Sequence, residues 1–347
     1  MANPVSKAPK QRVSGVILID KPQGLTSQQV VSKVKYLFKS PLHDSKKAGH
    51  TGTLDPMATG LLPVCLGEAT KFSHYQLDAD KAYEATIKLG ERTDTGDAEG
   101  QIVATQAVPD INDAAIEQTV QQFMGAQTQV PPMYSALKKD GKKLYEYARE
   151  GIEIERPARP ITIRDLQLEW LTEDSLRLQV TCTKGTYVRV LGEDIAQALG
   201  TVGHLTSLRR TQVGHFTTAN NISLVDLEAL SLAQRFEHLL AVDACVTGLA
   251  TLQITPEQCE RVQVGQRLNV REQFTPELVS YLEAAPILTE AVASIENETL
   301  DKDATVDIDE DGVPTRDIRL INEEGVFVGL GTLSINGRLQ PKKILAR

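Results

Sequence analysis

Cysteine is scarce in this sequence. Cys65, Cys182, Cys245 and Cys259 are scattered over 347 residues, with no C-x-x-C pair and no histidine placed to join them. That spacing argues against a zinc site and a disulfide framework, and it fits a reducing compartment, the cytoplasm. Long apolar runs are missing as well; none approaches the ~18 residues of a membrane-spanning helix. Neither a dinucleotide fingerprint nor a P-loop occurs, so hydride and phosphoryl transfer have no visible carrier. Residues 1–12 are polar and basic with two prolines. They lack the apolar centre of a signal peptide and read as a disordered basic arm.

Basic residues are in overall deficit, at a net charge of −9, but the deficit is local. Fourteen acidic residues lie between Phe274 and Gly325 against Lys302, Arg316 and Arg319, a balance of −11 that leaves the remaining chain at +2. From Met1 to Phe72, ten Lys or Arg face Asp20, Asp44, Asp55 and Glu68, giving +6. Phosphate affinity follows local charge rather than the total, so a nucleic-acid partner stays open. Within the acidic tract, Asp307-Ile308-Asp309-Glu310-Asp311-Gly312 copies the first half of an EF-hand loop. Its twelfth position holds Ile318 where a bidentate Glu is needed, so the tract (about 274–317) reads as an acidic surface insertion turned away from a bound polyanion.

Length favours two domains, set here at 13–248 and 249–347. Gly15–Asp20 reads as a buried strand, followed by a type I turn at Lys21-Pro22-Gln23-Gly24. Thr26 or Ser27 caps a helix with Val30, Val34 and Leu37 on one face. Residues 39–47 form a basic, flexible connector. Tyr83–Leu89 alternates, with Tyr83, Ala85, Ile87 and Leu89 inward. Ile116, Val120 and Phe123 mark a helix stopped at Gly125. A lysine-rich loop over 138–143 can touch a phosphate backbone. Strands are expected at 161–171 and 176–183, a helix at 188–199, and a basic strand or turn at 206–210. One capped helix spans 223–241, and short strands over 251–254, 267–270, 318–321, 327–335 and 343–345 suggest a small β-barrel.

The stretch Gly49-His50-Thr51-Gly52-Thr53-Leu54-Asp55-Pro56-Met57-Ala58-Thr59-Gly60-Leu61-Leu62 is too irregular for a helix or strand. Its glycines allow close backbone approach, and Pro56 holds Asp55 extended. A lone carboxylate on such a loop suits a nucleophile. Taken alone, Asp55 before Pro56 reads more readily as a helix cap.

Gly49 to Lys71, GHTGTLDPMATGLLPVCLGEATK, resembles the signature of the TruB family of tRNA pseudouridine-55 synthases. The resemblance continues, in the family's order, through Asp20-Lys21-Pro22, Lys81-Ala82-Tyr83, Arg92-Thr93-Asp94-Thr95, Tyr134-Ser135-Ala136-Leu137-Lys138, Lys184-Gly185-Thr186-Tyr187-Val188-Arg189 and Leu208-Arg209-Arg210, over about two thirds of the chain. It implies an α+β pseudouridine synthase fold, a mixed and largely antiparallel sheet with flanking helices, plus a small C-terminal PUA-like β-barrel. It implies isomerisation of uridine 55 in the T-arm of tRNA, without cofactor, metal, guide RNA or obligate protein partner, by a cytoplasmic monomer. Tyr83 would stack on the target base and move a sugar proton. Arg189 would pair bidentately with the nucleophile Asp55. His50 would fill the gap left by extruded bases, Tyr187 and Leu208 would line the substrate pocket, Lys21 would sit near the cleft beneath its loop, and Asp97 would position groups beside it. Attack at C1′, attack at the base and elimination to a glycal all remain open. Three rivals stand beside this reading: a tRNA folding chaperone, a guide-dependent member of the superfamily, and a glycosidase using Asp55 with Asp97.

Overall fold

The structure, a computed structural model, describes residues 10–284 and 307–346. The chain divides into two compact units, Met1–Leu240 and Ala241–Arg347. The boundary expected at 248/249 therefore falls inside the second.

In the first unit a ten-stranded mixed sheet runs, in spatial order, Ile222–Ser223, Gly15–Lys21, Thr59–Leu66, Gly203–Val213, Lys81–Leu89, Ser175–Cys182, Arg159–Thr172 and Gly125–Gln129. Ala48–His50 adds to Thr59–Leu66, and Phe216–Thr217 to Gly203–Val213. Most neighbours are antiparallel; Thr59–Leu66 lies parallel to Gly203–Val213. Gly15–Lys21 is buried along almost its whole length, which explains its unbroken apolar run. Helix Ser27–Leu37 is capped by Thr26 and Gln29 in a capping box and buries Val30, Val31, Val34 and Leu37. On the sheet, helix Val188–Ala198 buries Leu191, Ile195 and Ala196.

The central strand Gly203–Val213 sets the geometry of everything that follows. Arg210 on it is paired with Gly60 on one side and with Tyr83 on the other. At Gly60 φ is +97°, and an added Cβ would lie 2.3 Å from the Arg210 carbonyl oxygen. Only glycine fits there.

Several expectations are corrected. Residues 1–9 of the basic arm lie outside the described residues, but Gln11–Arg12 is a strand paired with His43–Asp44, so neither the end of the arm nor the 39–47 connector is loose. Residues 49–62 are not wholly irregular: Ala48–His50 and Thr59–Leu66 are strands, and only the piece between them is loop. Gly24 donates to the Pro56 carbonyl at 2.8 Å, drawing the Pro22–Gly24 turn toward that loop. Lys138–Lys139 and Lys142–Lys143 pair as a hairpin, closed by Asp140 and Gly141, both at positive φ. The helix expected over 223–241 is two, Leu224–Ala229 and Leu232–Glu237, because Leu230 is extended and Ser231 starts a second capping box.

The second unit holds an open five-stranded sheet in the order Thr251–Gln253, Thr315–Ile321, Phe327–Ser334, Arg338–Ile344 and Leu268–Asn269. Its two end strands are unpaired with each other among the described residues, so it is not a closed barrel. Helices Pro256–Gln263 and Pro276–Glu283 were missed by the strand-only reading. Both begin Thr-Pro-Glu, with Thr as the capping residue and Pro at the first position, a signal present in the sequence. Part of the acidic tract, 285–306, lies outside the described residues.

Gly60→Ala is expected to lower the melting temperature by several degrees or to leave the protein insoluble. Gly49→Ala, where no atom lies within 4 Å of the added Cβ, should be neutral within about 0.5 kcal/mol; thermal melts of the two variants check the contrast.

Candidate active site

Between the strands Ala48–His50 and Thr59–Leu66 the chain makes a short loop, residues 51–58, with Asp55 near its tip. Loop carbonyls and amides must find partners when buried, and three side chains from elsewhere supply them. Ser27, the first residue of its helix, accepts from the Leu54 N–H at 2.8 Å and donates to the Leu54 carbonyl at 3.0 Å. Lys21 donates Nζ to the carbonyls of Ala58 at 2.6 Å, Pro22 at 3.0 Å and Pro56 at 3.2 Å. Arg210 donates to Leu61 at 2.9 Å, Gly52 at 3.1 Å and Thr53 at 3.4 Å. Both cations are about 1% exposed. Burial lowers the pKa of each, and Lys21 falls to about 8 although the charge of Asp55 opposes the shift. Among the described residues no carboxylate pairs with Arg210; the backbone of the loop is its partner. Charge-assisted donors of this kind bind carbonyls more tightly than neutral ones.

Asp55 faces Arg189, which stands in the first turn of helix Val188–Ala198. The Oδ2 atom of Asp55 lies 2.9 Å from Nη2, with the Arg189 side chain 5% exposed and that of Asp55 38% exposed. Arg189 also donates to the carbonyls of Thr95 and Tyr134, each at 2.7 Å, and its Nη1 lies 3.5 Å from Oδ2 of buried Asp97. The guanidinium is therefore not reserved for Asp55. One guanidinium is divided between two carboxylates and two carbonyls, and so ties three loops together. Asp97 is held in turn by Thr95 Oγ1 at 2.7 Å and the Glu99 N–H at 3.0 Å.

The pair opens on a cleft of about 630 Å³ whose walls include His50, Asp55, Asp97, Glu99, Tyr134, Tyr145, Arg149 and Arg189. His50 is half-buried, and its Nδ1 accepts the Gly52 N–H at 3.2 Å, which leaves Nε2 to carry the proton of the neutral ring. Burial, with the nearby Arg210 charge, holds its pKa below the ordinary histidine value. Tyr83 is half-buried against the core, not on the cleft wall; burial raises its hydroxyl pKa while the adjacent Arg210 opposes this. Tyr187 caps the Arg189 helix by its backbone, exchanging hydrogen bonds with the Gln129 amide, and burial with the charge of Asp55 raises its hydroxyl pKa. Leu208 is buried in the central strand, paired with Ala85, and lies outside the cleft lining. Lys21 is likewise outside it, and carries the loop from below rather than presenting its ammonium to a ligand.

Glu99, Ser27 and Arg210 had no catalytic-site role in the sequence reading. Partial desolvation, with Asp97 and Asp55 nearby, raises the Glu99 pKa. A signal for Arg210 existed: two residues after Leu208 it shares the inward face of a strand, where a charge demands a partner. Of the basic hairpin, Lys142 is paired with Glu150 at 2.5 Å and Lys143 sits over the Tyr145 ring, so both are engaged locally. Among the described residues no group of three or more His, Cys, Asp or Glu is placed to hold a metal ion, and no helix is long and apolar enough to cross a membrane.

Residues 39–188 match the profile described as TruB family pseudouridylate synthase (N terminal domain), and residues 189–250 that of the tRNA pseudouridylate synthase B C-terminal domain. A curated protein of Psychrobacter cryohalolentis named tRNA pseudouridine synthase B is 62% identical over 343 residues, covering 97% of this chain and 95% of the relative. Its namesake in Aromatoleum aromaticum is 45% identical over 334 residues, covering 96% and 93%. Among solved structures, a Cbf5-Nop10-Gar1 complex aligns over 96% of this chain and 84% of that one, at 22% identity and a TM-score of 0.62. An H/ACA RNP bound to a substrate RNA containing 2′-deoxyuridine aligns over 96% and 85%, at 20% identity and a TM-score of 0.63. These two likenesses are of fold.

Ser27→Ala removes both partners of buried Leu54 and should cost about 1–3 kcal/mol of stability, read by denaturant titration. As pH rises through about 8, Lys21 changes from three N–H donors to two, and one loop carbonyl loses its partner. Turnover should fall across that window, and Lys21→Arg should flatten the fall. Lys81, also held near 8, donates to Gln76, Leu77 and Ala79 outside the loop, so Lys81→Arg should leave the fall in place.

Proposed function

The chain belongs to the TruB family of pseudouridylate synthases, and from that premise we propose that it isomerises uridine 55 in the T-arm of tRNA to pseudouridine, with Asp55 as the attacking carboxylate. The observation that carries the reading is the Asp55–Arg189 pair, 2.9 Å apart on the wall of the cleft. Uridine and pseudouridine are isomers. The N1–C1′ bond breaks, C5 joins C1′, and a proton leaves C5 while N1 gains one, so no redox partner or group donor enters the balance. What the site must supply is a carboxylate in a fixed place and walls that retain the freed base. Attack at C1′, attack at the base and elimination to a glycal each start from Asp55 in this position. In the last, the Asp55 carboxylate takes the sugar proton as the N1–C1′ bond breaks, and Tyr83, whose hydroxyl stays protonated, helps to move it only as a hydrogen-bond donor.

A base within the T-arm must leave its stack, which costs a few kcal/mol. Tyr145 and Arg149 on the cleft wall, beside the lysine hairpin, offer stacking and phosphate contacts against that cost. The reading gives His50, on the cleft wall, the vacated position, and gives Tyr187 and Leu208, outside the present lining, the pocket behind the base. An RNA-binding, PUA-like role is assigned to the second unit, supported by its open five-stranded sheet and two short helices. End-to-end alignment with the bacterial relatives favours a stand-alone monomer without guide RNA, and the four free cysteines agree with a cytoplasmic setting. The glycosidase alternative is disfavoured because Asp97 is buried and its carboxylate is already engaged by Thr95, the Glu99 N–H and Arg189. A tRNA folding role is compatible with the same surface.

Asp55→Asn is expected to abolish pseudouridine formation on a tRNA transcript while binding stays within about tenfold. Arg189→Lys keeps the charge but loses the fork, and single-turnover rates should drop on the order of 10²-fold or more. Isomer mapping on bare transcript should place product at position 55 alone. Release of free uracil, a requirement for added guide RNA, or turnover by Asp55→Asn would each overturn this reading.

A further inference from the structure

We propose that the acidic hairpin at 307–317 is a displaceable cover over a phosphate-binding strip on the second unit, formed by Arg267, Arg338 and Lys342, and that the RNA backbone binds there by taking its place. The inference rests on the RNA-substrate reading above and goes beyond it.

Arg338 and Lys342 lie on strand Arg338–Ile344, where exposed positions alternate with buried Leu339. Arg267 immediately precedes Leu268–Asn269, which pairs with the start of that strand. The three cations thus follow one sheet edge, the pattern a polyanion backbone requires. Each is answered by an acid from a single short segment. Glu310 pairs with Arg267, Asp311 with Arg338 at 2.7 Å, and Asp307 reaches Lys342 at 3.6 Å; the nearer partner of Lys342, Asp317 at 2.9 Å, belongs to strand Thr315–Ile321 and stays with the sheet.

The segment is built to lie there. Asp309 accepts the N–H groups of Asp311 at 3.0 Å and Val313 at 2.9 Å, and its second oxygen accepts from Asn336 Nδ2 at 3.0 Å, in the turn before the basic strand. The Thr315 N–H closes the hairpin on the Asp307 carbonyl at 2.8 Å. The ion pairs themselves are weak holders. The Arg267–Glu310 and Arg338–Asp311 side chains are each about half exposed, and pairs of that kind contribute little and yield to salt. Phosphates in series can outcompete them. The sequence reading turned this acidic tract away from RNA; the pairing places its described part on the cations that RNA would use.

The test is binding of full-length protein to unmodified tRNA transcript by fluorescence anisotropy across a salt series. Asp307→Asn, Glu310→Gln and Asp311→Asn together should tighten binding on the order of tenfold at low salt and steepen the log K against log salt slope by about 2. Arg267→Gln, Arg338→Gln and Lys342→Gln together should weaken wild-type binding several-fold and erase the gain when combined with the neutralised hairpin. Melting temperature and turnover at saturating tRNA should stay at wild-type values in the hairpin variant. Unchanged affinity and slope in a wild type that binds tRNA would overturn the cover alone. A gain that survives loss of the three cations would overturn it too, as a bulk charge effect. A wild type that binds no tRNA overturns the functional reading, and the cover with it.

Discussion

A single guanidinium, almost wholly removed from water, is shared by two carboxylates. Arg189 touches Asp55 and approaches Asp97 while two carbonyls take its other donors. Burying such a charge is unfavourable unless its donors are occupied, and removing one partner leaves the rest uncompensated. That demand is what brings the loop of Asp55, the loop of Asp97 and the Tyr134 segment to one point. Exposure then separates the three groups: the cation and Asp97 are almost enclosed, while the Asp55 side chain is 38% exposed on the wall of the cleft.

Beneath that pair lies a second polar layer with a different logic. Lys21 and Arg210 carry no carboxylate partner among the described residues; they hold backbone carbonyls of the Asp55 loop. The loop packs Leu54, Met57 and Ala58 into the core, and the donors beneath it, with Ser27 at the helix start, hold its backbone. The central strand couples the two layers, because Arg210 is in register with Gly60 at the loop's exit and with Tyr83 beside it. Tyr83 therefore lies against the core beside Arg210.

The second unit is held by a small apolar core under an open sheet. Apart from the largely buried Arg319–Asp243 pair, its ion pairs such as Arg267–Glu310 and Arg338–Asp311 sit on the surface, where water screens them and they can be exchanged for others at little cost. The same interaction type thus fixes geometry in the first unit and remains replaceable in the second; burial makes the difference.

Much of this protein was legible before folding. The family blocks named Asp55 and Arg189, the apolar strand at 15–21 and the helices at 27–37, 113–123 and 188–198 followed from periodicity and caps, and the Thr-Pro-Glu starts at 255 and 275 were there to be read. These are local signals, set by propensity and spacing within a few residues. What only the tertiary structure decided is which groups share a charge. Nothing within the chain's local order says that Arg210 serves carbonyls rather than an acid, that Arg189 is divided between Asp55 and Asp97, that Lys21 and Leu208 stay outside the cleft lining, or that Asp311 answers Arg338. Such pairings join residues tens to more than a hundred positions apart, and they are settled by strand register and burial, which exist only once the sheets have formed.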